Sequence, residues 1–218
     1  MWSKMLLLLL LLLLAAAVFL TAGVTFASKD ITNGSPTTTT AVKVIHFLGV
    51  ATSWGATVWA IFVGGLVMFM NLPRHMMGGL RGKVFPACFQ LTAASTAVSA
   101  AAFAWLHRPW LAAPAVERRQ LVVLIAAAGL DLANLLFFTP RTLKVMQERH
   151  KVERSLGIGG QMFVDGWRSN ARAARSSAVL AAANGRFRAA HVVSGVATLA
   201  SAAGLAAHTW YLAGKIAL

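Results

Sequence analysis

Asp131 is the residue with the most chemical meaning in this sequence, because it is an acid in the middle of an apolar run, Gln120 to Thr139. An ionised carboxylate at mid-bilayer costs at least ~2.5–3.5 kcal/mol on insertion scales, so such a group has to be protonated, paired or next to water. No Lys or Arg stands at its depth within the apolar runs. Counting ~1.5 Å per residue along a helix, its level matches Thr57, Ser95 and either Ser194 or Thr198. These side chains form a candidate intramembrane polar site, with hydroxyls to bond the acid and two roles open to it: structural hydrogen bonding, or proton and cation handling. The histidines are the second chemical group. His46 and His191 stand at opposite ends of their runs and cannot share one iron, so the haem option reduces to the pair His46 and His208. The single cysteine, Cys88, excludes an internal disulfide, a Cys-based zinc site and an iron–sulfur cluster. Phosphate-binding glycine loops, nucleophile elbows and metalloprotease motifs are absent from the sequence. The expectation is a non-enzymatic protein with no cofactor.

The elements that position these residues are membrane helices. Hydrophobic residues make up 58% of the 218, charged residues 12%, and the mean hydropathy is +0.68. A soluble domain carries about 25% charged residues. Four apolar segments, about 42–70, 84–106, 120–139 and 189–213, each reach the ~20 residues that cross the hydrocarbon as a helix. The backbone in lipid must pair internally, which requires helices. The fold class is therefore an all-α membrane protein, a bundle of four transmembrane helices. Before it, residues 1–27 hold a basic start, nine leucines from Leu6 to Leu14 and small residues at Thr25 and Ala27. That is the pattern of a signal peptide cut after Ala27, with an uncleaved signal anchor as the alternative. Residues 28–41 are a polar lumenal segment, in which Asn33-Gly34-Ser35 is a weak glycosylation sequon.

Charge supplies the orientation. The chain has 20 Lys and Arg against 6 Asp and Glu. Thirteen of the basic residues lie in the first and third interhelix loops, ten of them in the long loop 140–188, against six on the other side. The basic side is expected to be cytoplasmic. A net charge of +14 in a soluble protein would suggest nucleic acid. Here the charges flank apolar runs, so the expected partner is the bilayer with its anionic headgroups, and no nucleic acid. A second copy or another membrane protein is an allowed partner. The loop is expected to be helical. Arg141–Leu156 extends the third span, Gly157–Gly160 breaks it, and 161–183 is amphipathic, with Phe163, Trp167, Ala174 and Ala178 on one face and Arg168, Arg172 and Arg175 roughly opposite. Such a helix suits a membrane surface, with a solvated helix packed on its own bundle as the alternative.

Small and polar residues recur at helical spacing in every span, for example Ser53, Thr57 and Ala60 in the first and Thr92, Ser95 and Ser99 in the second. Close helix packing with hydroxyls bonding across is one reading; a polar path for a small solute or proton is the other.

His46-Phe47-Leu48, Trp54-Gly55, Trp59, Phe62 and Gly65, then Leu72-Pro73-Arg74-His75, Gly78, Lys83, Phe85-Pro86 and Phe89 resemble the opening of the transmembrane protein 205 family. Asn134, Pro140-Arg141-Thr142, Glu153-Arg154, Leu156-Gly157 and the run Phe187–His191 with Ser194 resemble its later landmarks. The resemblance covers about residues 43–212, with departures at Met77, Cys88 and Thr198. It implies a four-helix, multi-pass membrane protein of the secretory pathway without established catalysis, in a binding or membrane-trafficking role. On the topology above, Arg74, His75, Asn134, Arg141 and His191 from these motifs collect at the cytoplasmic ends of the spans. There they form a candidate binding cluster for an anionic headgroup or small anion. Helix-end capping and lipid anchoring would place the same residues there.

Overall fold

The computed structural model describes residues 36–109 and 112–215. The expected signal segment 1–27, its cleavage point and Asn33 lie outside the described residues. Four helices in it are long and apolar enough to cross a membrane: Thr38–Asn71, Arg74–Leu106, Ala115–Ser155 and Ala178–Ala213. The protein is an all-α membrane protein with four membrane-crossing helices. Among the described residues there is no strand, only an isolated bridge between Pro73 and Met162.

The first long helix is α1 (Pro36–Val58), a π-helical stretch Trp59–Gly64, and α2 (Gly65–Asn71). Leu72 in an extended conformation breaks it, and α3 (Arg74–Leu106) starts after Pro73. The third is α4 (Ala115–Ala133), a π-helical stretch Asn134–Phe138, and α5 (Thr139–Ser155). That π turn stands directly before Pro140, whose ring would clash with the carbonyl four residues back in a regular helix; the wider turn relieves the crowding. Then come α6 (Phe163–Ser176) and α7 (Ala178–Ala213). The helices run past the apolar segments because polar turns continue them where there is no hydrocarbon. α3 takes in most of the first interhelix loop, and α5, α6 and the first turns of α7 fill most of 140–188.

The chain divides into two compact units, and each long helix gives one stretch to each. Of the described residues, one unit comprises 36–56, 90–109, 112–131 and 200–215; the other comprises Thr57–Phe89 and Leu132–Leu199. In the first, Ala100, Phe103, Leu124, Ala127 and Leu205 make an apolar core. Ser53, Thr92, Thr96, Ser99 and Ser201 are buried around it, while Leu48, Val122, Ile125 and Trp210 are exposed. In the second, Asn134 and Glu153 are buried and Phe62, Leu66, Phe137 and Val192 are exposed. Hydroxyls inside and large apolar side chains outside are what a helix bundle in lipid requires, since lipid gives apolar groups no reason to hide.

Candidate functional site

Three helices of the second unit converge on the Glu153 carboxylate. Glu153 is in the last turn of α5 and is fully buried. Arg74 and His75 open α3, and Asn170 is in α6. Arg74 Nη2 lies 2.9 Å from Glu153 Oε1, and Asn170 Nδ2 donates to the same oxygen at 2.7 Å. His75 Nε2 donates to Oε2 at 2.6 Å. Arg149, one turn before Glu153, brings its Nε to 3.6 Å from Oε1. Both carboxylate oxygens are thus held, and the single negative charge faces two guanidinium groups. A second set of bonds fixes these partners. Arg74 Nη1 donates to the Gly166 carbonyl at 2.9 Å, and Asn184 Nδ2 donates to Asn170 Oδ1 at 2.7 Å.

The turn between α5 and α6 is shaped by the same cluster. The backbone N–H of Arg74 donates to the Gln161 carbonyl and that of His75 to the Gly159 carbonyl. Gly159 has φ +107°, in the region only glycine enters freely. A Cβ there would run into the His75 imidazole. Beside His75, at 4.2 Å between ring centroids, is His150. His150 is 7% exposed, and its Nε2 has no hydrogen-bond partner.

Of the five residues expected to gather in the binding cluster, Arg74 and His75 do so. Asn134 is engaged elsewhere in the unit: its amide donates to Thr198 Oγ1 at 3.1 Å, and its oxygen accepts from Ser194 Oγ at 2.8 Å. Arg141 is exposed. His191 stacks on Phe187 with ring centroids 5.6 Å apart. Phe187 also carries the Arg149 guanidinium at 3.8 Å, so His191 touches the cluster through one aromatic ring. His150, Arg149 and Asn170 are residues of the cluster that sequence reasoning missed, and Glu153 entered it only as a landmark of the family resemblance. The available signal was spacing: His150 and Glu153, at i and i+3, share one helix face, as do Arg149 and Glu153 at i and i+4.

The expected partners of Asp131 change as well. In the first unit its carboxyl faces the Thr92 and Ser201 hydroxyls, while its Oδ2 has no partner. Ser95 donates to its own helix, to the Leu91 carbonyl at 2.7 Å; Thr57 and Ser194 belong to the other unit. Levels counted from the ends of the apolar segments are off by about a turn; α4 begins at Ala115, before the expected start at Gln120. The small-residue stripe of the first unit is hydrogen bonded. Ser53 Oγ donates to the Thr92 carbonyl at 3.3 Å, Thr96 Oγ1 to Ser53 Oγ at 2.8 Å, and Ser201 Oγ to the Ala127 carbonyl at 3.3 Å.

His46 and His208, the pair left for haem, bond to each other, Nε2 to Nε2 at 3.2 Å, with their rings at 89°. His208 Nδ1 is 2.9 Å from Gln120 Oε1, and Ser99 Oγ is 2.8 Å from His46 Nδ1. His46 Nδ1 also lies 3.0 Å from the Ser99 carbonyl, an acceptor, and Ser99 Oγ donates to the His46 carbonyl at 3.2 Å. The nitrogens that a haem iron would need are occupied by each other, and no slot for a porphyrin separates the rings. In the same unit Glu117 Oε1 accepts from Tyr211 and Lys215, each at 3.2 Å.

The expected face of the amphipathic segment is corrected. α6 turns Gly166 and Asn170 inward, and Trp167 is exposed together with Arg168, Arg172 and Arg175. The helix ends at Ser176, and Ala178 starts α7. The inward face was invisible to hydropathy because it is made of a glycine and an amide that serve Arg74 and Glu153.

A family described as a domain of unknown function (DUF4149) matches residues 48–151, a stretch that contains His75 and His150. Transmembrane protein 205 of Danio rerio is 31% identical over 133 residues, which is 60% of this chain and 68% of that protein. No solved structure matches. With two thirds of that relative aligned and the family's landmarks in order along four membrane-crossing helices, the chain belongs to the transmembrane protein 205 family.

Proposed function

We propose that this is a non-enzymatic membrane protein of the secretory pathway, whose segment 140–188 faces the cytoplasm and binds anionic lipid headgroups through α6. One observation carries the reading. At 3.6 residues per turn, exposed Val164, Trp167 and Ala171 form a strip along α6, and exposed Arg168, Arg172 and Arg175 form the strip beside it. An apolar, aromatic strip flanked by arginines sits at the boundary between acyl chains and phosphates. Each Lys or Arg near an anionic leaflet contributes about 1 kcal/mol of attraction. The buried charge cluster supports the reading mechanically, because Asn170 and the Gly166 carbonyl lock α6 in place through Glu153 and Arg74. A helix held this way senses leaflet charge, which is a means of retention in membranes of a given composition and fits a trafficking role. The measurement is the phosphatidylserine retained per protein by native mass spectrometry after extraction from mixed vesicles. Replacing Arg168, Arg172 and Arg175 together by Gln should lower it well below the wild type. Equal retention would remove the proposal.

The alternative, a solute or proton path along the polar stripes, has less support. Ser53, Thr96, Ser201, Asn134 and Ser194 already bond to protein groups, which suits packing.

A further inference from the structure

We propose that His75, His150 and Glu153 form a binding site for a divalent transition-metal ion, zinc foremost. The inference is independent of the lipid reading. Each of the three side chains offers one ligand atom, and those atoms lie within 4.8 Å of one another. Two imidazoles and one carboxylate are a donor set that zinc takes with a fourth position left for water or an anion. The second observation is His150. It is 7% exposed, and its Nε2 is buried with no hydrogen-bond partner. Buried polar side chains are rarely left without a partner, and a metal ion would give this imidazole one.

The scaffold is that of a metal site. His150 and Glu153 are three residues apart on α5, and His75 is in the first turn of α3, so the donors stand on helices. Gly78 and Gly159 leave room for the rings: a Cβ on Gly78 would come to 2.8 Å from His150 Cε1, and one on Gly159 would strike His75. Around the donors, Arg74 and Asn170 hold Glu153 Oε1, which leaves Oε2 on the side of His75. Carboxylate ligands held in this way are the usual outer shell of a metal centre. Zinc bonds of about 2.0–2.2 Å in a tetrahedron set neighbouring ligand atoms roughly 3.4 Å apart. The 2.6 Å contact between His75 and Glu153 therefore opens as the ion replaces the proton between them. The imidazole keeps its one proton, which passes from Nε2 to Nδ1, and the ion reaches the site past a His75 side chain that is 19% exposed. Binding weakens as pH falls, because protons compete with the ion for the imidazole and carboxylate donors. The guanidinium groups of Arg74 and Arg149 repel a cation, so the site exchanges its ion readily and favours an anion as fourth ligand.

The test uses the full chain in lipid nanodiscs, titrated calorimetrically with Zn²⁺, with Co²⁺ as the optical probe. His75→Gln and His150→Gln keep side-chain hydrogen bonding and remove one donor each. The wild type should take up one ion more than either variant, or bind it at least ~10-fold more tightly. The visible absorption of a tetrahedral Co²⁺ site should be present only in the wild type. Equal stoichiometry, affinity and spectra in all three would overturn the proposal. X-ray absorption at the zinc edge of the wild type reads the shell without any variant: two imidazoles and oxygen support the site, and any other histidine count refutes it.

Discussion

Glu153 is the residue on which the second unit turns. Its charge is buried, and Arg74, His75 and Asn170 all bond to it. Breaking a buried ion pair by removing one partner costs about 3–5 kcal/mol, because the other charge stays buried and unpaired. Glu153→Gln should therefore lower stability by that amount in an SDS-unfolding titration in mixed micelles. Exposed Arg141→Ala should stay within about 0.5 kcal/mol. Gly159→Ala is a sharper probe. It forces an alanine to φ +107° and pushes a Cβ into the His75 ring, at about 1–3 kcal/mol for the backbone alone. Gly160→Ala, which meets nothing within 4 Å, is the control and should be close to neutral. Arg74 and His75 were legible in the sequence because they sit at the end of an apolar run, where a basic residue is conspicuous. Glu153 and His150 were not: in a segment as charged as Glu148–Arg154, a buried acid has the same pattern as a solvated one, and only the partners brought by α3 and α6 distinguish them.

At the scale of elements, the helices associate through hydroxyl and amide bonds more than through size of core. Asn134 ties α7 at two points, Thr198 and Ser194. Hydrogen bonds between membrane helices average about 0.6 kcal/mol and reach about 1.7, so Asn134→Ala should cost about 1–2 kcal/mol in the same titration. Asp131→Asn should insert and fold, since an amide still accepts from Thr92 or Ser201. Asp131→Leu should be worse, because it leaves the Thr92 hydroxyl facing an apolar side chain. If the Asn variant proves as damaging as the Leu variant in the titration, hydrogen bonding does not explain the acid. The four spans were readable as apolar runs, and their type was fixed by the demands of lipid on the backbone. Their true lengths were not readable. A polar turn such as Arg74–Lys83 carries no hydropathy signal, and the π turns at Trp59–Gly64 and Asn134–Phe138 shift register without leaving a mark in composition. Asp131 was matched to Ser95 rather than to Thr92 by counting from Gln120, whereas its helix begins at Ala115.

At the scale of the whole molecule, the proposed function sets the basic segment 140–188 against an anionic bilayer. The sequence showed the charge asymmetry, but not that Trp167 shares the outward side of α6 with the arginines. That arrangement depends on which face Asn170 and Gly166 commit to Glu153 and Arg74. Sidedness is checked by Arg154→Cys in a Cys88→Ser background, which an impermeant maleimide should label only from the cytoplasmic side of sealed vesicles. The most direct test of the central claim is the depth of α6. Trp167→Cys in the same background, spin labelled and reconstituted into phosphatidylserine-containing vesicles, reports its collisions with oxygen, which concentrates in lipid, and with a nickel chelate, which stays in water. The account predicts high oxygen and low nickel accessibility, with a shift toward water when phosphatidylserine is replaced by phosphatidylcholine. A label as open to nickel as a free aqueous side chain in both lipids would contradict it.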